Sequence, residues 1–146
     1  MSAPTGSWPQ RGAVYLLDFD PATGHEMAGL HPCLVVQNDV GNQHSALTVV
    51  VAITSNLRVA ALPVGVLIPA GEGGLTRDSA AHCGHIYTVD KGRLGRQIGT
   101  LPPDRMAEVD QALKVVRSDR RQPKVSPNSS PVLPEFRNGP GTRWLR

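Results

Sequence analysis

"LTVVVAITS", residues 47–55, is a nearly unbroken run of apolar and β-branched side chains. A half-exposed strand would alternate with polar residues, so this run predicts a strand buried on both faces. Upstream, "AVYLLDF" (13–19) reads as a strand closed by the turn residues "DPATG". "CLVVQND" (33–39) reads as a second strand, with "GNQHSA" as the loop that follows. Downstream, "LPVGVLIP" (62–69) is a weaker strand bounded by prolines and ended by the glycine turn "AGEGGL". "SAAHCGHIYTV" (79–89) and "QIGTL" (97–101) complete the set. Helical spacing is confined to "PPDRMAEVDQALKVVR" (102–117), where Met106, Val109, Leu113 and Val116 make one apolar stripe. Pro103 suits a first helical position, and Asp104 and Glu108 suit the positive end of the helix dipole. Many short strands and then one amphipathic helix predict a mainly β fold with a C-terminal helix, as a small, strongly bent sheet or barrel.

The chain has 146 residues, 40% of them hydrophobic and only 4% aromatic, enough for one domain with a core of Val, Leu, Ile and Ala. No stretch approaches the roughly 18 apolar residues of a membrane span. "MSAPTGSWPQRG" lacks the basic-then-apolar order of a secretory signal. Cys33 and Cys83 are too sparse for a disulfide framework and are expected as buried, reduced thiols in a cytoplasmic protein. The net charge of +3 is unevenly spread. Residues 117–146 hold seven Lys or Arg against two acids, and residues 1–116 hold eight basic against ten acidic side chains. The globular part therefore advertises no broad positive surface. The organisation expected is a flexible leader (1–10), one domain (11–117) and a basic, proline-rich, disordered tail (118–146).

"HEMAGLHPCLVVQND" (25–39) sets His25, Glu26 and His31 ahead of an apolar run. One account is a polar loop entering a core strand; the other is a site that moves protons, since a glutamate beside an imidazole orients it and raises its pKa. His82 and His85 stand in the fifth strand and His44 in a loop. Four histidines with Cys83 could also form a metal site, but H-x-x-H at 82–85 has no paired partner and fits no zinc pattern well. "AGEGGL" lacks the lysine and spacing of a nucleotide-binding loop.

Taken in order, "RGAVYLLDFDPATGHE" (11–26), "HPCLVVQNDVGNQHS" (31–45), "VVVAITSN" (49–56), "IPAGEGGLTRDS" (68–79) and "TVDKGRLGRQIGTLPPDRMAEVDQAL" (88–113) resemble the MazF/PemK/Kid toxins. The resemblance covers roughly residues 11–116 without large gaps, and neither leader nor tail takes part. It implies an SH3-like small β-barrel of the MazF/PemK/CcdB-like type, working as a homodimer under a MazE-like antitoxin. It also implies sequence-specific cleavage of single-stranded mRNA with no metal or cofactor. The 2′-hydroxyl attacks phosphorus, leaving a 2′,3′-cyclic phosphate and a 5′-hydroxyl. Such chemistry asks for a base, an acid and donors to the non-bridging oxygens.

Carried over residue by residue, the resemblance implies catalytic roles for His31, Thr54, His25, Glu26 and His82. It implies RNA contacts for Ser55, Asn38, His85 and Tyr87. Thr54 and Ser55 match the family's "TS" pair, although such residues also end strands by capping their own backbone. The departures lie at charged positions. "GLHPCLVV" has His31 where the family has a catalytic arginine, and "HCGHIYTVD" has His82 and Tyr87 where arginines are usual. His85 replaces the usual glutamine and Gly84 an aspartate. An arginine is a fixed charge with a planar fork of donors, whereas a histidine offers one titratable proton. Two accounts follow: a ribonuclease site that has traded arginines for imidazoles, or a dimer that keeps the antitoxin groove and has lost cleavage.

Overall fold

The computed structural model describes residues 8–19 and 29–117. His25, Glu26, the first seven leader residues and the tail from residue 118 lie outside the described residues. Pro9 is already buried and the Gln10 carbonyl accepts from the Ala13 N–H, so packing begins before residue 11.

Six strands form one curled antiparallel sheet, a half-barrel. They are β1 (Ala13–Phe19), β2 (Gly29–Val35), β3 (Leu47–Thr54), β4 (Gly65–Ile68), β5 (Ser79–Asp90) and β6 (Gln97–Thr100), in the order β4-β5-β3-β2-β1-β6. Two α-helices, α1 (Asp39–His44) and α2 (Pro103–Arg117), and three short 3₁₀ turns complete the described fold. In β3, residues 50–53 are at most 1% exposed. Val51 and Ile53 enter a core with Val14, Leu34, Val66, Ile68 and the α2 residues Met106, Val109 and Ala112. Val50 and Ala52 enter a second core with Leu17, Phe19, Cys33, Val35 and Val89. Two-faced burial is what the β-branched run of the sequence requires.

The sheet curls until the connection after β4 meets β6. A Cβ built on Gly74 would lie 1.8 Å from the Ile98 carbonyl oxygen, and one on Gly99 2.3 Å from the Gly73 carbonyl carbon. Only glycine permits so close a backbone approach. Arg105 of α2 then clamps this turn, donating from Nε and Nη2 to the two Glu72 carboxylate oxygens at 2.8 Å each and from Nη1 to Glu108 at 2.9 Å. Those bonds hold the Glu72 carboxyl below its ordinary range. Thus "AGEGGL" is a turn as expected, and it also closes the half-barrel.

Four local expectations are corrected. The second strand spans Gly29–Val35 rather than residues 33–39, because Asn38 caps a short helix and the chain must leave the ladder to enter it. The segment read as the loop "GNQHSA" falls largely in that helix, where Asn38 Oδ1 accepts from the Gly41 N–H at 2.8 Å. The strand expected at 62–69 shrinks to Gly65–Ile68, since Leu57–Ala61 forms a 3₁₀ turn that packs against Gly65. In α2 the buried stripe is Met106, Val109 and Ala112, with Leu113 partly buried and Val116 38% exposed. Cys33 and Cys83 are both buried, and burial pushes the thiols up to about 12 and about 11.

Gly74→Ala is expected to lower stability by about 3 kcal/mol, from a forced backbone displacement together with a left-handed φ. Gly71→Ala, which also has positive φ but no atom within 4 Å of the added Cβ, should lose only about 1 kcal/mol. Urea unfolding midpoints check the pair, and equal losses would refute the closure role of Gly74.

Candidate active site

Antiparallel register decides which side chains share a face. Leu17 lies opposite His31 and Cys33 opposite Ala52. Continued by two residues, the β2–β3 register puts Thr54 level with His31. Across β3, Thr54 pairs with Ala80, Ala52 with His82 and Val50 with Tyr87. Since Cys33, Ala52 and Val50 belong to the second core, His31, Thr54, His82 and Tyr87 all point to the face opposite α2.

Phe19 ties part of this face together. Its ring is edge-on to His31, with centroids 6.2 Å apart at 64°, and to Tyr87, at 5.1 Å and 69°. Phe19 is itself buried and so fixes the spacing of the two half-buried rings. It is a site-building residue that motif reasoning missed. Its signal was positional, since Tyr15, Leu17 and Phe19 alternate along β1 on one face.

The other pair depends on a break in register. Val51 faces Ile86 but Ala52 faces His82, so β5 spends three extra residues, 83–85, at this point. Such a bulge bends the strand and re-aims its side chains. Here it brings the His82 and His85 rings into a parallel stack, with centroids 3.8 Å apart and planes 9° from parallel. The Gly84 N–H donates to His82 Nδ1 at 3.2 Å, which leaves the proton of a neutral His82 on Nε2. A Cβ on Gly84 would sit 3.0 Å from His82 Cε1, so glycine here makes room for the imidazole.

Other expected residues fall elsewhere. Thr54 Oγ1 accepts from the Asn56 N–H at 3.1 Å, the local cap that strand-ending threonines make. Ser55 is exposed beyond the strand end. Asn38 lies past the opposite end of β2 from His31, with its side-chain oxygen occupied in capping α1. His44 is the last residue of α1. Cys83 points into the α2-side core, away from the imidazole pair, so the thiolate of a Cys–His metal site is not supplied there. Among the described residues, no three His, Cys, Asp or Glu side chains are grouped to hold a metal ion. No described helix is long and apolar enough to cross a membrane.

Residues 10–116 match the family model described as the PemK-like, MazF-like toxin of type II toxin-antitoxin systems. The chain belongs to this family. It is 42% identical over 106 residues to Endoribonuclease EndoA of Bacillus subtilis (strain 168), covering 73% of this chain and 91% of that protein. MazF from Deinococcus radiodurans superposes with a TM-score of 0.63 at 28% identity, covering 75% of this chain and 96% of that one. An endoribonuclease in complex with its cognate antitoxin, from a mycobacterial species, gives a TM-score of 0.63 at 30% identity, covering 75% and 94%. The mostly β half-barrel with its C-terminal helix is thus the fold of this family, as the five motifs imply. On this face His31 and Tyr87 are both held by ring contacts to Phe19.

Proposed function

We propose that this toxin-family endoribonuclease cuts single-stranded mRNA at short sequences, without a metal, through imidazole acid–base chemistry. One of His31 and His82 takes the proton of the attacking 2′-hydroxyl as its oxygen bonds to phosphorus. The other gives a proton to the departing 5′-oxygen as the P–O5′ bond breaks. The products are a 2′,3′-cyclic phosphate and a 5′-hydroxyl. Thr54 donates to a non-bridging oxygen, where charge grows in the transition state. His25 and Glu26 act from the segment between β1 and β2, and Ser55, His85 and Tyr87 contact the RNA.

The observation that carries this reading is register: His31, Thr54 and His82 come from three adjacent strands and share one face. The toxin works in the cytoplasm as a homodimer that binds RNA near the subunit interface, and a MazE-like antitoxin segment covers the same surface. The mycobacterial endoribonuclease in complex with its cognate antitoxin supports such a partner. The tail, residues 118–146, draws RNA or an acidic partner to the protein by long-range attraction.

Two results test these roles. His31→Ala is expected to slow cleavage by about a hundredfold or more, the scale of one placed acid or base, with RNA affinity changing far less. Unchanged cutting would remove His31 from the mechanism. Deleting residues 119–146 should flatten the dependence of RNA binding on salt concentration. An identical slope in the shortened protein would show that the tail contributes no attraction.

A further inference from the structure

A cleft of about 380 Å³ opens beside Tyr87 on the site's face of the sheet. Leu17, Phe19 and Val89 of the second core and the Tyr87 ring are among its walls, with Thr88 and Arg93 beside them. Arg93 follows β5 in a short 3₁₀ turn and is anchored there, donating from Nη2 to the Asp18 carbonyl oxygen at 2.8 Å. One of five guanidinium N–H groups is committed to that bond, and the planar head stays exposed.

We propose that this cleft is a subsite for one unpaired nucleobase of the RNA, packed against the Tyr87 wall and held at its polar edge by Arg93. The inference rests on the ribonuclease reading above and adds a recognition element to it. The chemistry of the walls selects the occupant. A phosphate would find one cation against apolar and aromatic surface, a poor exchange for its hydration. An aliphatic side chain would fill the walls but leave the guanidinium unanswered. A nucleobase offers both a flat face for an aromatic wall and acceptor atoms on its edge, which a guanidinium matches in its plane.

Size and position agree with this. The volume is at the low end of small-molecule pockets, enough for one base with its sugar. The cleft is also continuous with the candidate active site, because the Phe19 ring that lines it also meets His31. A base seated against Tyr87 therefore belongs to a nucleotide near the scissile bond. Recognition by stacking suits a surface whose net charge is not positive, since stacking on an uncharged ring does not depend on counterion release.

The test is binding of the full-length chain to a set of RNAs derived from one that it cuts. Each has 2′-deoxyribose at the cut to prevent cleavage and one further position made abasic. Wild type should lose about tenfold or more in Kd at one abasic position near the cut, the scale of one base stacked on an aromatic ring. Tyr87→Ala, and Arg93→Gln, which removes the cation at the cleft's edge, should weaken binding to the intact RNA by a similar factor. Both should then be indifferent to the base at that position. Abasic losses that stay the same in both folded variants would overturn the subsite and leave the ribonuclease reading standing. A Tyr87→Ala protein that turns monomeric, with its abasic losses unchanged, would assign the cleft to contact with a second copy and overturn the subsite too. Wild-type protein that binds the intact RNA and loses nothing at any abasic position would overturn the subsite and leave the ribonuclease reading standing.

Discussion

The burial of β3 on both faces is the constraint on which the remaining geometry depends. Residues 50–53 belong alternately to the α2-side core and to the second core, so neither face is free to turn outward. A slip of one residue against β2 or β5 would exchange the two sets and put side chains fitted to one core into the other. Parity along β2 and β5 is therefore locked to β3. His31, Thr54, His82 and Tyr87 share a face because Cys33, Ala52 and Val50 are held where they are. The site is a consequence of hydrophobic register before it is a collection of polar groups.

The same register explains why the imidazole pair needs a bulge. An unbroken β5 would send His82 and His85 to opposite faces, since they are an odd number of residues apart. Three extra residues at 83–85 restore their contact, and Gly84 supplies the space and the N–H that orient His82. A Cβ at Gly84 would crowd the ring that the bulge turns toward the site, so the bulge and the glycine serve one purpose. At the far edge, the approach of Gly74 and Gly99 to neighbouring backbone, with Arg105 clamped on Glu72, holds the curl that keeps the two cores distinct.

Much of the architecture was legible in the sequence. β1, β3, β5, β6 and α2 were readable to within a residue at their ends, because apolar runs and one helical stripe are strong local signals. β2 was read too far toward its C-terminal end. The run "CLVV" looks like the middle of a strand, and the cap at Asn38, although written in the sequence, competes with it. In α2 the stripe passes through Ala112 rather than Val116, because burial follows where the sheet ends and not how apolar a residue is. At the site, the motifs identified His31, Thr54, His82 and Tyr87 as candidates. Their common face, the role of Phe19 and the stack of His82 on His85 depend on pairing between strands distant in sequence. Asn38 shows the converse, a motif position whose side chain has a structural task at the other end of its strand.

Where arginines would supply a fixed charge and a planar fork of donors, this face carries imidazoles and a phenol, which suit phosphate less well. The account therefore rests on chemistry rather than on tight phosphate binding. The most direct measurement is incubation of the purified protein with a long single-stranded RNA in excess EDTA, followed by identification of the fragment ends. The account predicts fragments with 2′,3′-cyclic phosphate and 5′-hydroxyl termini. Intact RNA from a folded protein, or 5′-phosphate ends that appear only with added metal, would contradict it.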